Sequence, residues 1–151
     1  MNVRVTKNES RIFLWVLLLL SVLTAGCALQ LVAPYDAKTE DQIINDARQV
    51  EQFYSELQDT PEEKRSYSAF ASKYREVEGD LRSLVLRNKI KKLNEDSTEI
   101  AQKILDQWVK CKERHKTTDS YKEAMAELDR DRFRRMFEYA ARAEGAKKPA
   151  D

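Results

Sequence analysis

Glycine and proline are scarce in this chain, which holds three of each among its 151 residues. Both residue types concentrate in turns and in the irregular connections between secondary-structure elements. Their scarcity therefore predicts an α-helical protein whose helices are joined by short connections. The length is sufficient for one ordinary domain and does not suggest two.

A surplus of charge of one sign is also missing, because 27 basic residues stand against 26 acidic ones. A nucleic-acid-binding protein needs an excess of lysine and arginine to displace the counterions of the phosphates. The even balance predicts that nucleic acid is not a partner of this protein.

Candidate metal ligands are few. Cys111 and His115 are four residues apart, so on a helix they would share one face and both could touch one metal ion. A zinc site needs three or four protein ligands, however, and His115 is the only histidine. We therefore expect no metal site and no cofactor. Cys111 is interpreted as a small buried side chain, and His115 as a residue that offsets the negative end of a helix.

Groups for nucleophilic or acid–base catalysis are equally sparse. The chain has no Gly-x-Ser-x-Gly motif, and a single histidine offers no base for which a triad could be proposed. Carboxylates are abundant, but in a chain that is 35% charged they are expected on the solvated faces of helices. We expect no catalytic residues and no enzymatic activity.

The amino-terminal segment has the features of an export signal. Arg4, Lys7 and Arg11 precede an apolar run at 12–20, which continues to Leu23 and is followed by small residues. A basic head, an apolar stretch of 7–15 residues and small residues at a cleavage site are typical of signal peptides. The alternative is an uncleaved membrane helix, which needs about 20 apolar residues to span the bilayer. The run at 12–23 is shorter than that, so a cleaved signal is the prediction.

The sequence Leu-Thr-Ala-Gly-Cys at 23–27 resembles the lipobox of bacterial lipoproteins. In that family the cysteine thiol receives a diacylglycerol, the signal is cut before it, and the new amino group is acylated. The resemblance implies lipidation of Cys27 and anchoring of the chain to a membrane through this lipid. The best-fitting lipoboxes carry leucine three residues before the cysteine, where this chain has Thr24. Ala28, in place of aspartate, implies sorting to the outer membrane of the cell envelope, facing the periplasm.

Capping motifs divide the remaining chain into four helical segments. Thr39 with Gln42 forms a capping box for the first helix, and Thr60-Pro61 followed by acidic residues predicts the start of the second. Asp96 predicts the start of the third helix, and residues 117–120 that of the fourth. We therefore predict a signal peptide at 1–26, the lipidated cysteine and a short tether at 27–38, a helical bundle at 39–145 and a polar tail at 146–151.

Apolar residues recur at spacings of three and four in each segment, which places them on one helix face that must be buried. Because the connections are short, we predict an all-α fold, an antiparallel up-down bundle of about four amphipathic helices. For the fourth helix the spacing assigns an inward stripe of Tyr121, Met125, Leu128, Met136 and Tyr139, flanked by Phe133, Phe137 and Ala140.

The aromatic residues allow two interpretations. Most lie at helical spacing and are expected in the core. Phe53 next to Tyr54, and Phe137 close to Tyr139, span more than one stripe, so Phe53 and Phe137 are predicted to reach the surface. An exposed aromatic side chain on a rigid bundle is a common feature of protein interfaces. Phe53 and Phe137 are therefore the candidate interaction surface.

Charge is distributed unevenly along the chain, with acidic residues concentrated at 36–63 and basic residues at 130–148. The preferred interpretation is attraction between the first and last helices, which are neighbours in an up-down bundle. The alternative is a basic face on the fourth helix for anionic lipid or a cell-wall polymer. Gly79 in the second helix also allows two interpretations, a tolerated residue on an exposed face or a close helix crossing.

These observations predict a membrane-anchored envelope lipoprotein whose bundle is a non-catalytic interaction module for a protein partner or for itself. The alternative is a small-ligand binder or an enzyme with its site between helices. The pattern from Tyr35 to Glu40 also resembles small helical lipoproteins of Gram-negative bacteria. That resemblance covers the first helix and implies no activity.

Overall fold

The computed structural model describes residues 31–149, so the predicted signal peptide and Cys27 lie outside the described residues. Four α-helices and a short 3₁₀ turn make up the regular structure of this part of the chain. The elements are α1 (Ala37–Asp59), the 3₁₀ turn (Glu62–Lys64), α2 (Tyr67–Lys89), α3 (Glu95–Thr118) and α4 (Glu123–Gly145). Each helix has 23 or 24 residues and is therefore about 35 Å long.

The four helices form a ring in which each packs against two neighbours. The closest pairs are α1 with α4 and α2 with α3, and the pairs α1–α2 and α3–α4 complete the ring. The short connections at 60–66, 90–94 and 119–122 make consecutive helices run in opposite directions. The predicted all-α, antiparallel up-down bundle of four helices is confirmed.

The start of α1 differs from the predicted capping box at Thr39. The helix begins at Ala37, and Asp36 is its N-cap, because the Asp36 carboxylate accepts hydrogen bonds from the Lys38 amide at 3.0 Å and the Thr39 hydroxyl at 2.9 Å. Thr39 is buried and also accepts a hydrogen bond from Lys91. The threonine therefore supports the cap without forming it, and the N-cap lies three residues before the predicted one.

The predicted start of α2 at Thr60-Pro61 is also wrong. These residues open the 3₁₀ turn, and α2 begins at Tyr67. Arg65 lies within the interruption, and its buried guanidinium donates hydrogen bonds to the carbonyls of Gln58, Thr60 and Tyr121. This arginine holds the α1–α2 connection against the segment before α4.

The inward face of α4 is rotated relative to the predicted stripe. Met125, Leu128 and Tyr139 are exposed, whereas Phe133 and Phe137 are buried. The buried stripe consists of Ala126, Asp129, Phe133, Phe137, Ala140 and Glu144. Two of its members, Asp129 and Glu144, carry carboxylates, so the spacing of apolar residues alone could not predict that they are buried. α4 also begins at Glu123, later than the predicted start at 117–120.

The segment before α1 is bound to one end of the bundle. This tether end comprises residues 31–40, 86–99 and 139–149, where α1 and α3 begin and α2 and α4 end. Ala33 is fully buried, and its amide donates to the carbonyl of Leu93 at 2.7 Å. The Asp36 amide donates to the buried Glu144 carboxylate at 3.0 Å. The part of the predicted tether from residue 33 onward is therefore part of the folded domain.

The core is aromatic, and Trp108 lies at its centre. Its fully buried ring contacts aromatic rings from the other three helices, with centroid distances of 4.9 Å to Phe53, 5.2 Å to Tyr74 and 5.7 Å to Phe133. The indole N–H donates a hydrogen bond to the carbonyl of Tyr74 at 3.1 Å. Trp108 thus joins all four helices at one level of the bundle.

Gly79 lies on an exposed face of α2, and a β-carbon at this position would meet nothing within 4 Å. The interpretation as a tolerated exposed residue is confirmed, and no close helix crossing requires this glycine. Within residues 31–149, no helix combines the length and the apolar character needed to cross a membrane.

Replacing Trp108 with alanine should reduce the free energy of unfolding by about 3–5 kcal/mol, because the change removes a large side chain and leaves a cavity between four helices. Urea unfolding followed by circular dichroism measures this loss. Lys110→Ala, at an exposed position on the same helix, should change the stability by less than about 0.5 kcal/mol. A loss below about 1 kcal/mol for Trp108→Ala would contradict the central position of this ring.

Candidate functional site

Phe53 and Phe137, predicted to be exposed, are both buried, so this prediction is wrong. Phe53 is 3% exposed and packs against the rings of Tyr54, Phe70, Tyr74 and Trp108. Phe137 is 4% exposed on the inward face of α4. Adjacent aromatic residues can both be buried here because α1 packs between two helices and so buries a wide face.

His115 and Cys111 are core residues of α3. The His115 ring is fully buried between the Tyr74 hydroxyl, 3.1 Å from Nδ1, and the carbonyl of Arg65, 2.9 Å from Nε2. The carbonyl only accepts, so Nε2 carries the proton and Nδ1 accepts from Tyr74. Burial lowers the pKa of His115, which favours the neutral ring. The interpretation of His115 as a charge that offsets the helix dipole is therefore wrong.

The Cys111 thiol does not share a site with His115. Burial raises the pKa of Cys111, which disfavours the reactive thiolate, and Gln107 donates a hydrogen bond to its sulfur at 3.2 Å. The prediction that Cys111 is a small buried side chain is confirmed. Within residues 31–149, no three metal-ligating side chains come together.

A buried polar cluster joins α3 and α4 around Asp129. The Asp129 carboxylate is fully buried and forms ion pairs with Arg114 and Arg132. It also accepts a hydrogen bond from the Tyr121 hydroxyl at 2.6 Å, and Arg114 donates to the same hydroxyl at 2.7 Å. Burial raises the pKa of Tyr121, so its hydroxyl remains a donor. Each charged group of the cluster is compensated, as expected of a structural network.

Asp46 on α1 is buried without the hydrogen-bond and ion-pair partners that Asp129 has. It is 2% exposed, and its Oδ2 is the buried side-chain atom without a hydrogen-bond partner in the part of the chain that the structure describes. Burial raises the pKa of Asp46 to about 7, with a further contribution from the carboxylate of Asp80. Around neutral pH this carboxyl group therefore exchanges a proton.

The candidate site for a ligand or partner is a surface groove between α1 and α4, with a volume of about 470 Å³. Its apolar lining comes from both helices, and Ile44 in this lining is 56% exposed. The apolar lining residues are Ile43, Ile44, Ala47, Val50, Phe133, Phe137 and Ala141, and the charged ones are Arg48, Glu51, Arg134 and Glu138. Phe137 thus contributes to this groove, although it is not an exposed side chain.

Charges around the α1/α4 groove are largely paired with each other. At the groove, Glu51 on α1 forms ion pairs with Arg130 and Arg134 on α4. Outside the lining of the groove, Glu40 on α1 pairs with Lys148 at 3.1 Å. These pairs confirm the prediction that the acidic and basic ends of the chain attract each other within the fold. Both signs of charge border the groove, because its lining includes Arg48 and Arg134 as well as Glu51 and Glu138. The sequence analysis missed this groove. Ile44 lies beside the apolar stripe of α1, and its sequence position alone does not show that it borders α4.

Asp46→Asn should remove a pH dependence of stability. In the unfolded chain this carboxyl loses its proton near pH 4, whereas in the fold it keeps the proton to about pH 7. The folded state therefore binds the extra proton in this window, and the contribution of Asp46 to wild-type stability should fall by up to about 4 kcal/mol as the pH rises from 4 to 7. Asp46→Asn should lack this fall and be more stable than the wild type at pH 8.

Urea unfolding at several pH values measures the effect. Asp41→Asn is the matched control, because Asp41 is exposed on the same helix. This control should keep the wild-type pH dependence. Equal pH dependence in Asp46→Asn and the wild type would show that Asp46 titrates as an ordinary exposed aspartate.

Comparison with known proteins identifies no relative from which a site could be transferred. No family model, no curated protein and no solved structure matches the chain. The assignment of a function therefore rests on the residues of this chain, and above all on the lipobox-like segment, the compensated core and the α1/α4 groove.

Proposed function

We propose that the protein is a lipoprotein of the bacterial cell envelope, anchored by lipid at Cys27, and that its helical bundle is a non-catalytic interaction module. The bundle binds a helical segment of a protein partner or of a second copy. The observation that supports a role as an interaction module is the α1/α4 groove, which presents apolar side chains bordered by charges of both signs. The protein faces the periplasm from the outer membrane.

The anchor is supported by the segment at 23–27 and by the basic and apolar stretches before it. Several acyl chains on one cysteine give stable membrane attachment, since each buried methylene contributes about 0.8 kcal/mol. Ala28 supports the outer membrane as the destination, because aspartate at this position favours retention in the inner membrane of related lipoproteins.

The non-catalytic character is supported by the state of the polar core. Asp129 is matched by two arginines and a tyrosine hydroxyl, and both nitrogens of His115 are hydrogen-bonded. A catalytic base needs free access to the proton that it abstracts, and these groups are fully buried. They serve to fix the packing of the helices.

The α1/α4 groove supports a protein partner because of its shape and chemistry. An amphipathic helix binds in such a groove by inserting apolar side chains spaced by three and four residues. Ile44, Ala47 and Ala141 offer a surface of this kind, and small alanines allow close approach. Arg48 and Glu138 at the border can pair with either sign of charge on the partner.

A small apolar ligand is the second candidate for the same groove. The volume of about 470 Å³ lies within the range of ligand pockets, roughly 300–1,000 Å³. Such pockets usually bury most of the ligand, however, and 56% of Ile44 is open to solvent. The exposed position of Ile44 favours the protein partner.

Cys27→Ser should abolish lipidation. In cells supplied with labelled palmitate, the wild type should take up label and sediment with outer membranes, whereas Cys27→Ser should remain unlabelled and retain its signal peptide. Cys111→Ser is the control for the second thiol and should be labelled like the wild type. Label retained by Cys27→Ser would refute the anchor.

The α1/α4 groove can be tested by photo-crosslinking in intact cells. A photoreactive amino acid in place of Glu138, at the border of the groove, should form a discrete adduct whose crosslinked peptide is a helical segment of a protein or of this chain. Ile44→Glu should remove the adduct without loss of helicity, because it places a charge on the apolar surface. The matched control is Leu128→Glu, at an exposed apolar position on α4 outside the groove, which should leave the adduct intact.

Two results would contradict the interaction module. The first is an adduct of equal yield in Ile44→Glu and Leu128→Glu, which would mean that the groove is not the contact surface. The second is a small molecule retained by the membrane-extracted protein in native mass spectrometry and lost in Ile44→Glu. That result would favour the ligand candidate.

A further inference from the structure

Exposed apolar side chains gather at the tether end of the bundle. Six large ones, each at least 46% exposed, lie there: Leu31, Val32, Leu86, Ile90, Leu93 and Tyr139. Only Met125 and Leu128 are comparable near the opposite end among residues 31–149, and they are 37% and 47% exposed. The connections at that opposite end, 60–66 and 119–122, are otherwise polar, so the two ends of the bundle differ in chemistry.

Several of these side chains form one surface. Leu31, Val32, Leu93 and Tyr139 line a common depression of about 320 Å³ at the tether end, with Ile100 behind them. Ile90 lies in the same α2–α3 connection as Leu93, at a 74% exposed position. The surface therefore combines residues from the tether, from the α2–α3 connection and from α4.

The backbone of Leu93 adds an independent observation. Its φ is 58°, a left-handed conformation in which glycine and asparagine are favoured and a leucine is strained. Leu93 is also 46% exposed, so its side chain gains little from burial within the domain. Bulky residues in strained conformations cluster at positions where the side chain has a function. The left-handed backbone and the exposed side chain together make Leu93 a candidate for a contact outside the fold.

The chain between Cys27 and the bundle is short. Ala33 is bound to the Leu93 carbonyl, so six residue steps separate the bundle from the cysteine. Six residues span at most about 20 Å. With Cys27 lipidated, as in the proposed function on which this step depends, Leu93 and its neighbours cannot be far from the lipid headgroups.

We infer that the tether end is a second membrane contact, and that Leu31, Val32, Ile90, Leu93 and Tyr139 insert into the interfacial region of the bilayer that holds the Cys27 lipid. Leucine, isoleucine and tyrosine are the residue types that enter this region. The contact orients the bundle with its axis away from the membrane and its opposite end toward the periplasm. The α1/α4 groove then stands upright and open to a partner.

The charged side chains at the tether end indicate which lipids the contact needs. Lys89 and Lys92 are exposed at the end of α2, and Glu95 and Asp96 are exposed at the start of α3. Over the whole tether end, eight basic residues stand against six acidic ones, which leaves a surplus of only two positive charges, so the contact that we infer rests on the apolar side chains. Neutral bilayers should therefore be sufficient.

The test uses the full lipidated protein in vesicles of phosphatidylcholine and phosphatidylethanolamine. An environment-sensitive fluorophore is attached to Ile90→Cys and, as the matched control, to Leu128→Cys near the opposite end. Labelling is selective because Cys111 is buried and its thiol pKa is raised. A nitroxide on the lipid acyl chain should quench the Ile90 label at least twofold more than the Leu128 label, with no dependence on salt.

Equal quenching of the two labels would overturn the inference, because the tether end would then lie outside the bilayer. A disulfide between two unlabelled Ile90→Cys copies in the same vesicles, together with no lipid quenching of the labelled protein, would also overturn it and would assign the surface to a second copy. Mass spectrometry of the same sample reports separately on Cys27. A missing lipid there refutes the proposed anchor and the inference that depends on it, whereas equal quenching with the lipid present overturns the inference alone.

The variant Leu93→Asn tests whether the Leu93 side chain inserts into the bilayer or only lies close to it. Asparagine suits the left-handed backbone and keeps the carbonyl that holds Ala33, so the melting temperature should not fall. Quenching of the Ile90 label should nevertheless drop at least twofold, because an apolar anchor is lost. Unchanged quenching in this variant would exclude Leu93 from the contact and overturn the insertion that we infer.

Discussion

The burial of Trp108 is the interaction on which the bundle depends. Its ring lies on α3 and contacts rings on α1, α2 and α4, so no pair of helices can separate without exposing it. Aromatic side chains bury large areas and prefer edge-to-face contacts, and several contacts of Trp108 have this geometry. Around this centre, apolar burial can hold the helices together without a disulfide between described residues.

Buried polar groups give this apolar core its particular arrangement. Arg65 joins the α1–α2 connection to the segment before α4, and Asp129 joins α4 to α3. At the tether end, Glu144 accepts from the Asp36 amide and forms an ion pair with Lys147. Each of these groups would be costly to bury without its partners, so a shifted register would leave charges uncompensated. Such pairs favour one packing of four similar helices over its alternatives.

The two ends of the bundle and its long face suit different contacts. The tether end carries exposed apolar side chains a short distance from Cys27, and the α1/α4 groove runs along the side of the bundle. In the function that we propose, the tether end contacts the membrane and the α1/α4 groove presents one face to a partner. Asp46 lines neither surface, and its buried, unpartnered carboxyl should make the stability of the fold depend on pH between about 4 and 7.

The sequence by itself determined the helical class, the number of helices and their antiparallel order, because spacings of three and four and short connections are local properties. It also predicted that Cys111 is buried and that 36–63 and 130–148 attract each other. Only the tertiary structure decided the inward face of α4, the burial of Phe53 and Phe137, and the start of α2 at Tyr67. The physical reason is that these features depend on partners distant in the chain, as when Arg65 bonds Tyr121 or Asp119 caps the Tyr67 amide. Hydrophobic periodicity predicts which side chains are buried away from water. It does not predict which distant group forms a hydrogen bond or ion pair with a buried polar side chain.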